Sequence, residues 1–385
     1  MDLLQKVNTL GESAQYDLCG PSGSQTPSKR NDFERWIYPA ARPDGKRIRV
    51  LKLLQTNVCQ KQCYYCGIRA GKDVPRASFT PDELARAFDR LHRANIVNGL
   101  FLSSAVCTSA DWTMDQMIAC VELIRERYEF SGYIHLKMLP GCSDAHVERA
   151  VQIAQRVSVN LEAPNAERLA RIAPHKTFYD ELMRPMRLAK HLIDEGGGRL
   201  APAGQSTQFV VGAAGEPDRE ILSTSARLYR EMGLARAYYS AFNPVPGTPL
   251  DGMEPAPAWR EHRLYQADWL LRFYGFAYDD LVIDDGGNLP RRADPKLTYA
   301  RNHPERYPVE VNRARRDELL RVPGMGPRTV ANLLRWRRQG VLRDLSDLTK
   351  AGAVAGRAAP YILLNGKRPP YQLPLWEPDP DLRDW

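Results

Sequence analysis

Short apolar runs and amphipathic stretches take turns six times along this chain, and that alternation constrains the fold more than any other feature. The apolar runs fall at 48–56, 99–103, 133–137, 156–162, 206–212 and 236–242. Helical patterns lie between them near 81–94, 113–128, 144–154, 177–194, 217–232 and 259–274. Thr80-Pro81-Asp82-Glu83 has the N-cap, first-turn proline and third-position glutamate of a capping box, which fixes the start of the first helix. Strands alternating with helices imply an α/β fold with a parallel sheet buried on both faces. Six units are too few for a closed eight-fold barrel, so the expectation is an open, partial (β/α)6 barrel. Ligands of such folds sit at the C-terminal ends of the strands.

At 385 residues the chain is long enough for two to three domains. The expected organisation is an N-terminal extension at 1–47, the barrel at 48–274 and a connector at 275–308. A helical module at 309–365 and a Pro-rich tail at 366–385 follow. The stretch CGPSGSQTPSKR reads as loop, and the tail, with five prolines from 368 onward, reads as extended chain. No run of about 18 apolar residues is present, so no membrane helix is expected. The opening residues lack the apolar core of a secretory signal. Seven cysteines in such a chain point to a reducing, cytoplasmic setting, with thiols as ligands or buried groups rather than disulfides.

Three cysteines, Cys59, Cys63 and Cys66, stand directly after the first strand in LQTNVCQKQCYYCGIR. A structural zinc site wants four ligands, and no fourth Cys or His follows at a zinc-like spacing. Three thiolates on one loop suit a 4Fe–4S cluster with one iron left open. The spacing, with its place after the first strand of a partial barrel, resembles the signature of the radical S-adenosylmethionine superfamily. The resemblance implies a 4Fe–4S cluster whose open iron chelates the methionine end of S-adenosylmethionine. One electron then cleaves the sulfonium, and a 5′-deoxyadenosyl radical takes a hydrogen atom from the substrate. Such chemistry belongs to the cofactor, while the protein orients it and excludes water.

The resemblance also implies a cofactor-binding set. Tyr65, before the last cysteine, matches the family position against the adenine. The second strand ends in LFLSSAV, where the family often has Gly-Gly-Glu; this chain offers Ser103 and Ser104, which can accept from an ammonium without a carboxylate's charge. Lys137 ends the third strand and can meet a carboxylate or phosphate. Asn160 and Glu162 in SVNLEAP share one face of a regular strand and suit ribose hydroxyls and the methionine ammonium. A structural hydrogen-bond role for both is comparably common. QFVVGAAGE resembles a Gly-x-x-x-Glu turn near adenine, using Gly212 and Glu216. Phe242 and Asn243 place backbone near the base. Tyr238, Tyr239 and Ser240 are candidates for substrate contact, with core packing the commoner role for the aromatics. Cys120 reads as a buried apolar residue, whereas Cys107 lies close to the pocket in sequence. Cys19, Cys107, Cys120 and Cys142 share no cluster spacing.

Charge is uneven. The chain carries +8 overall, yet residues 301–370 hold 15 Lys or Arg against 6 Asp or Glu, a net of +9. Either a polyanion partner or a solvated basic surface accounts for that. A short helix at 317–321 meets Pro323-Gly324-Met325-Gly326, and a second helix starts at Pro327. Glycines there turn the backbone sharply and leave amides exposed at a helix N-terminus, able to hold a phosphate oxygen without reading bases. This segment resembles the helix-hairpin-helix family of DNA-binding modules. Gly324, Gly326, Arg328 and Arg335 are its expected nucleic-acid contacts, with Arg337 and Arg338 adding charge. Residues 344–358 read as a degenerate second hairpin.

As a whole the chain resembles a radical S-adenosylmethionine family linked to DNA modification or repair and encoded beside a uracil-DNA-glycosylase-like protein. The expected fold is a partial (β/α)6 radical S-adenosylmethionine barrel with a small all-α helix-hairpin-helix domain. The expected partners are DNA, the glycosylase-like protein, and an electron donor such as flavodoxin or ferredoxin. Two alternatives stay open: the same chemistry on RNA, or a DNA-binding protein whose cluster is structural.

Overall fold

In the computed structural model, which describes residues 1–16, 34–41 and 47–372, the chain opens with a helix rather than irregular backbone. Helix α1 (Leu3–Ser13) starts on a capping box in which Asp2 accepts from the Gln5 amide. Its apolar stripe buries Val7 and Leu10. Gly11 on the same side has no side chain because the Trp36 ring lies there: a β-carbon would come within 2.4 Å of that ring. Strand β1 (Ile37–Ala41) follows and pairs antiparallel with β2 (Arg47–Leu54). The Gly-, Pro- and Ser-rich segment with Cys19, and the tail beyond 372, lie outside the described residues.

From β2 onward the expected alternation appears. Helix α2 (Pro81–Arg93) carries the Thr80/Glu83 capping box, a motif whose cap residue contributes about 1 kcal/mol. Then come β3 (Gly99–Ser103), α3 (Ala110–Glu122), β4 (Tyr133–Lys137), α4 (Asp144–Ile153), β5 (Arg156–Ser158), α5 (Ala166–Ile172), α6 (Arg184–Glu195), β6 (Gln205–Val211), α7 (Asp218–Met232) and β7 (Arg236–Ala241). The seven strands stand in sequence order, β1 to β7, and every pair after the first is parallel. The sheet is a curled, open half-barrel. Leu100, Leu102, Ile134, Leu136, Val157 and Phe209 are buried from water, as a sheet covered on both faces requires. The antiparallel β1 is an addition to the six strands read from the sequence.

One strand is shorter than its pattern. The run 156–162 is regular only to Ser158. Beyond it the Thr207 hydroxyl replaces the ladder, donating to the Val159 carbonyl at 2.8 Å and accepting from the Leu161 amide at 3.1 Å. Pairing resumes at Glu162, which bridges Phe209 with a left-handed φ of 63°. An intruding hydroxyl therefore makes a local bulge, and apolar pattern alone carries no sign of it.

The chain divides into two units, Met1–Glu216 with Arg227–Pro257, and Pro217–Ala226 with Ala258–Trp385. The second contains α8 (Ala258–Phe273), α9 (Pro295–Asn302), β8 (Val309–Glu310), α10 (Arg316–Arg321), α11 (Pro327–Trp336), α12 (Leu345–Lys350), α13 (Ala355–Ala358) and β9 (Ile362–Leu363). Its C-terminal part packs around Leu319, Val322, Met325, Val330, Leu333 and Leu348. It is not purely helical: β8 and β9 pair in parallel. Two-residue strands are too short to leave a periodic signal. No helix among the described residues is long and apolar enough to cross a membrane.

Candidate active site

The cysteine loop leaves β2 and is pinned before it turns. The Gln55 amide donates to Ser103 O at 2.8 Å. The Asn57 amide group donates to Ser13 Oγ and Pro75 O, while its oxygen accepts from the Ala77 amide. Within the loop, the amides of Gln60 and Tyr64 reach Val106 O and Ile172 O. Arg76 is the hub: its guanidinium donates to the carbonyls of Asn57, Ile68, Arg69 and Lys72 at 2.5–3.0 Å. Loop carbonyls that no helix or sheet can satisfy are thus satisfied by one cation.

So held, the loop forms one wall of a cavity of about 460 Å³, inside the size range of small-molecule and cofactor sites. Cys59, Cys63, Cys66 and Tyr65 line it. Ser104 enters after β3, Lys137 from the end of β4, Asn160 and Glu162 after β5, and Gln208 from β6; Ser240, Phe242 and Asn243 come from the end of β7 and beyond. All but Gln208, at the middle of β6, are at or near the C-terminal ends of parallel strands, where this architecture concentrates its ligands. Ser103, Gly212 and Glu216 do not line it. Ser103 is buried. Glu216 accepts from the Gly212 and Ala214 amides, tying off its own turn. Tyr239 is core, stacked on Phe209 with centroids 6.1 Å apart. Neither Cys107 nor Tyr238 lines the cavity, and Cys120 and Cys142 are buried thiols.

Among the polar lining residues, Ser13, Gln15, Lys61, Lys176 and Gln208 escaped sequence reasoning. Lys176 and Glu162 form an ion pair at 3.2 Å with both side chains only 8% exposed. Tyr65 lies close to Glu162 as well. Burial pushes the Tyr65 hydroxyl well above its ordinary range, and the Glu162 charge adds to that. Burial opposes the Lys176 ammonium, but Cys63 and Glu162 outweigh it and raise its pKa. Burial likewise pushes the Cys63 thiol up, and the Cys66 thiol up to about 12. Such thiols stay protonated until a metal displaces their protons.

These residues fit a cluster and its nucleoside partner. No group of three or more His, Cys, Asp or Glu among the described residues closes on a single-ion site. A cubane cluster differs, because each thiolate ligates a separate iron. No fourth cysteine and no histidine is among the lining residues. Ser104 also lines the cavity, and its hydroxyl oxygen is buried with no hydrogen-bond partner among the described residues. A buried orphan beside a cavity is a group that a ligand or water can satisfy.

The expected nucleic-acid contacts belong to the second unit. Gly324 lies in the turn between α10 and α11, and Gly326 caps α11. Arg328, Arg335 and Arg338 are exposed. Arg337 instead donates to Val311 O and Ala314 O, so it braces the fold.

The chain is similar to the crystal structure of methylornithine synthase (PylB), at 14% identity over 58% of this chain and 61% of that one, TM-score 0.47. It is similar to the FeFe-hydrogenase maturase HydG from Carboxydothermus hydrogenoformans, at 15% over 58% and 51%, TM-score 0.46. The radical S-adenosylmethionine methyltransferase TsrM from Kitasatospora setae matches at 11% over 63% and 45%, TM-score 0.41. The match thus spans between 45% and 61% of the length of these chains. No protein of curated function matches the chain. A family model described as Radical SAM superfamily matches residues 53–228, so this stretch, with the cysteine loop at its start, is a radical S-adenosylmethionine superfamily domain, and the superfamily's cofactors are a 4Fe–4S cluster and S-adenosylmethionine.

Proposed function

We propose that this chain is a radical S-adenosylmethionine enzyme acting on DNA. The carrying observation is that one cavity is lined both by the three loop cysteines and by Ser104, whose buried hydroxyl has no hydrogen-bond partner among the described residues. Cys59, Cys63 and Cys66 would hold the cluster. Bound there, cluster and S-adenosylmethionine supply a 5′-deoxyadenosyl radical for hydrogen abstraction. Ser104 Oγ accepts from the methionine ammonium, and Glu162, held in place by Lys176 and Tyr65, accepts beside it. Asn160 serves the ribose hydroxyls. Phe242 and the prolines at 244 and 246 close the wall and keep water from the reacting centre. Ser103, Gly212 and Glu216 act at one remove, by shaping the backbone around the pocket.

The DNA assignment rests on the second unit. Its α10–turn–α11 segment resembles a helix-hairpin-helix module, and residues 301–370 carry the net +9. Gly324 and Gly326 leave amides open toward a phosphate, and Arg328 and Arg335 add exposed charge. The reading includes a low-potential donor such as flavodoxin or ferredoxin. A uracil-DNA-glycosylase-like partner follows from the family resemblance alone.

The test is anaerobic. The full chain is reconstituted with iron and sulfide, reduced with dithionite, and given S-adenosylmethionine with or without DNA. A DNA-dependent rise in 5′-deoxyadenosine supports both halves of the reading. Product without DNA stimulation retains the enzyme and removes DNA, with RNA of equal length tried next. No product from an intact, reducible cluster overturns the enzyme reading.

A further inference from the structure

A hairpin that holds backbone phosphate is blind to bases. The second unit has a surface that is not. Trp269 and Phe273 lie one helical turn apart in the C-terminal half of α8, 51% and 45% exposed. Their rings meet edge to face, centroids 5.3 Å apart and planes 66° apart. The Arg272 guanidinium sits 4.6 Å from the Phe273 ring centre and is held by two bonds to Asp268, whose carboxylate is fully buried. The arrangement is fixed and wet, an unusual use of two large aromatics on a helix that buries Leu264, Ala267 and Leu270 elsewhere.

The next residue ties this helix end to the hairpin. Tyr274 packs against the core of the helical module. Lys296 lies 4.7 Å from its ring centre and donates to the Met325 carbonyl in the turn. A β-carbon at Gly326 would stand 3.4 Å from the Tyr274 hydroxyl. Tyr274 is thus half-buried against the glycine turn while Phe273 and Trp269 stay exposed.

We propose that Trp269 and Phe273 form a stacking platform for an unpaired DNA base whose flanking backbone is held at the 322–326 turn. This rests on the DNA reading above and names the substrate class within it: a strand with an extruded or single-stranded nucleotide rather than intact duplex. Aromatic faces stack on any base, and a guanidinium over a ring adds to the attraction. The charge of the neighbouring segment selects a polyanion over an apolar protein surface. Chemistry on a base also requires it out of the stack.

The experiment uses the full chain and three DNAs of one length: paired duplex, duplex with one unpaired 2-aminopurine, and single strand. Wild type is expected to quench the unpaired 2-aminopurine and to bind both unpaired forms more tightly than duplex. Trp269→Ala and Phe273→Ala should each weaken binding of the unpaired forms about tenfold and abolish the quenching, leaving duplex affinity unchanged. Trp269→Phe should retain part of it. Equal thermal melting of each variant and wild type confirms that folding is intact. Unchanged affinity for the unpaired forms, or equal weakening on all three DNAs, overturns the platform while leaving DNA binding standing. Failure of wild type to bind any of the three overturns the DNA reading and the platform with it.

Discussion

At the scale of single residues, the buried ion pair of Lys176 and Glu162 lines the cavity. Both side chains are 8% exposed and 3.2 Å apart. Removing one partner of such a pair leaves a charge buried alone and costs about 3–5 kcal/mol, more than the pair's net worth. Lys176→Met should therefore destabilise the chain by about that amount, while Lys176→Met with Glu162→Gln should recover most of it. Urea denaturation of the apo chain reads both; a single variant costing under about 1 kcal/mol would show that water reaches Glu162. Nothing in the sequence announced this pair. The three cysteines were legible because their ligand spacing is local, and Tyr65 with them. Lys176 sits in a loop 14 residues past Glu162, and Arg76 reads as an ordinary basic residue. Their roles exist only once the loop has been folded around them. Ser103 is the last residue of β3 and is buried, whereas Ser104 lies just beyond the strand, and of the two only Ser104 lines the cavity.

At the scale of elements, the two glycines of the turn between α10 and α11 look alike in sequence and differ in structure. Gly324 has a φ of 80°, and a β-carbon there would meet Val354 O at 2.6 Å and Arg357 Cβ at 3.1 Å. Its carbonyl accepts from the Val354 amide, which ties this turn to the start of α13. Gly326 has a φ of −99°, which any residue adopts, and its nearest neighbour would be at an ordinary 3.4 Å. Gly324→Ala should cost more than about 2 kcal/mol through left-handed backbone and collision together. Gly326→Ala should cost about 1 kcal/mol or less, the loss of a favoured N-cap residue alone. Thermal melts of the two variants side by side distinguish them, and equal losses would mean that the turn tolerates no β-carbon anywhere. Folding thus explains Gly324 fully and Gly326 only in part, and Gly326 is the position where close approach of a ligand backbone would use a missing side chain. Among the larger elements, six strands and six helical patterns were readable because period and length agree over whole segments. Helix α1 was missed although Leu3, Val7 and Leu10 share a face and Asp2 caps it, because the loop-rich residues after it dominated that region. The end of β5 was misread because a single hydroxyl, Thr207, interrupts the ladder from the neighbouring strand.

At the scale of the whole molecule, the separation of charge in the sequence becomes a separation of salt sensitivity. Residues 301–370 hold the net +9, and the remainder of the chain sums to −1. The cavity is lined by half-buried thiols, a buried ion pair and a buried hydroxyl, groups less screened by added salt than exposed charges. Arg328 and Arg335 are exposed, and on the proposed reading each phosphate contact removed lowers the salt slope of binding by nearly one unit. The two activities of one chain should therefore respond differently to one variable. Between about 50 and 200 mM salt, 5′-deoxyadenosine formed without DNA should hold nearly constant, while the increment produced by DNA at fixed concentration should collapse. Arg328→Ala with Arg335→Ala should shift that collapse to lower salt and leave the DNA-free rate untouched. If both rates fell together with salt, the cavity itself would be the salt-sensitive element. The basic segment would then be an ordinary solvated surface, and the DNA reading would lose its electrostatic support.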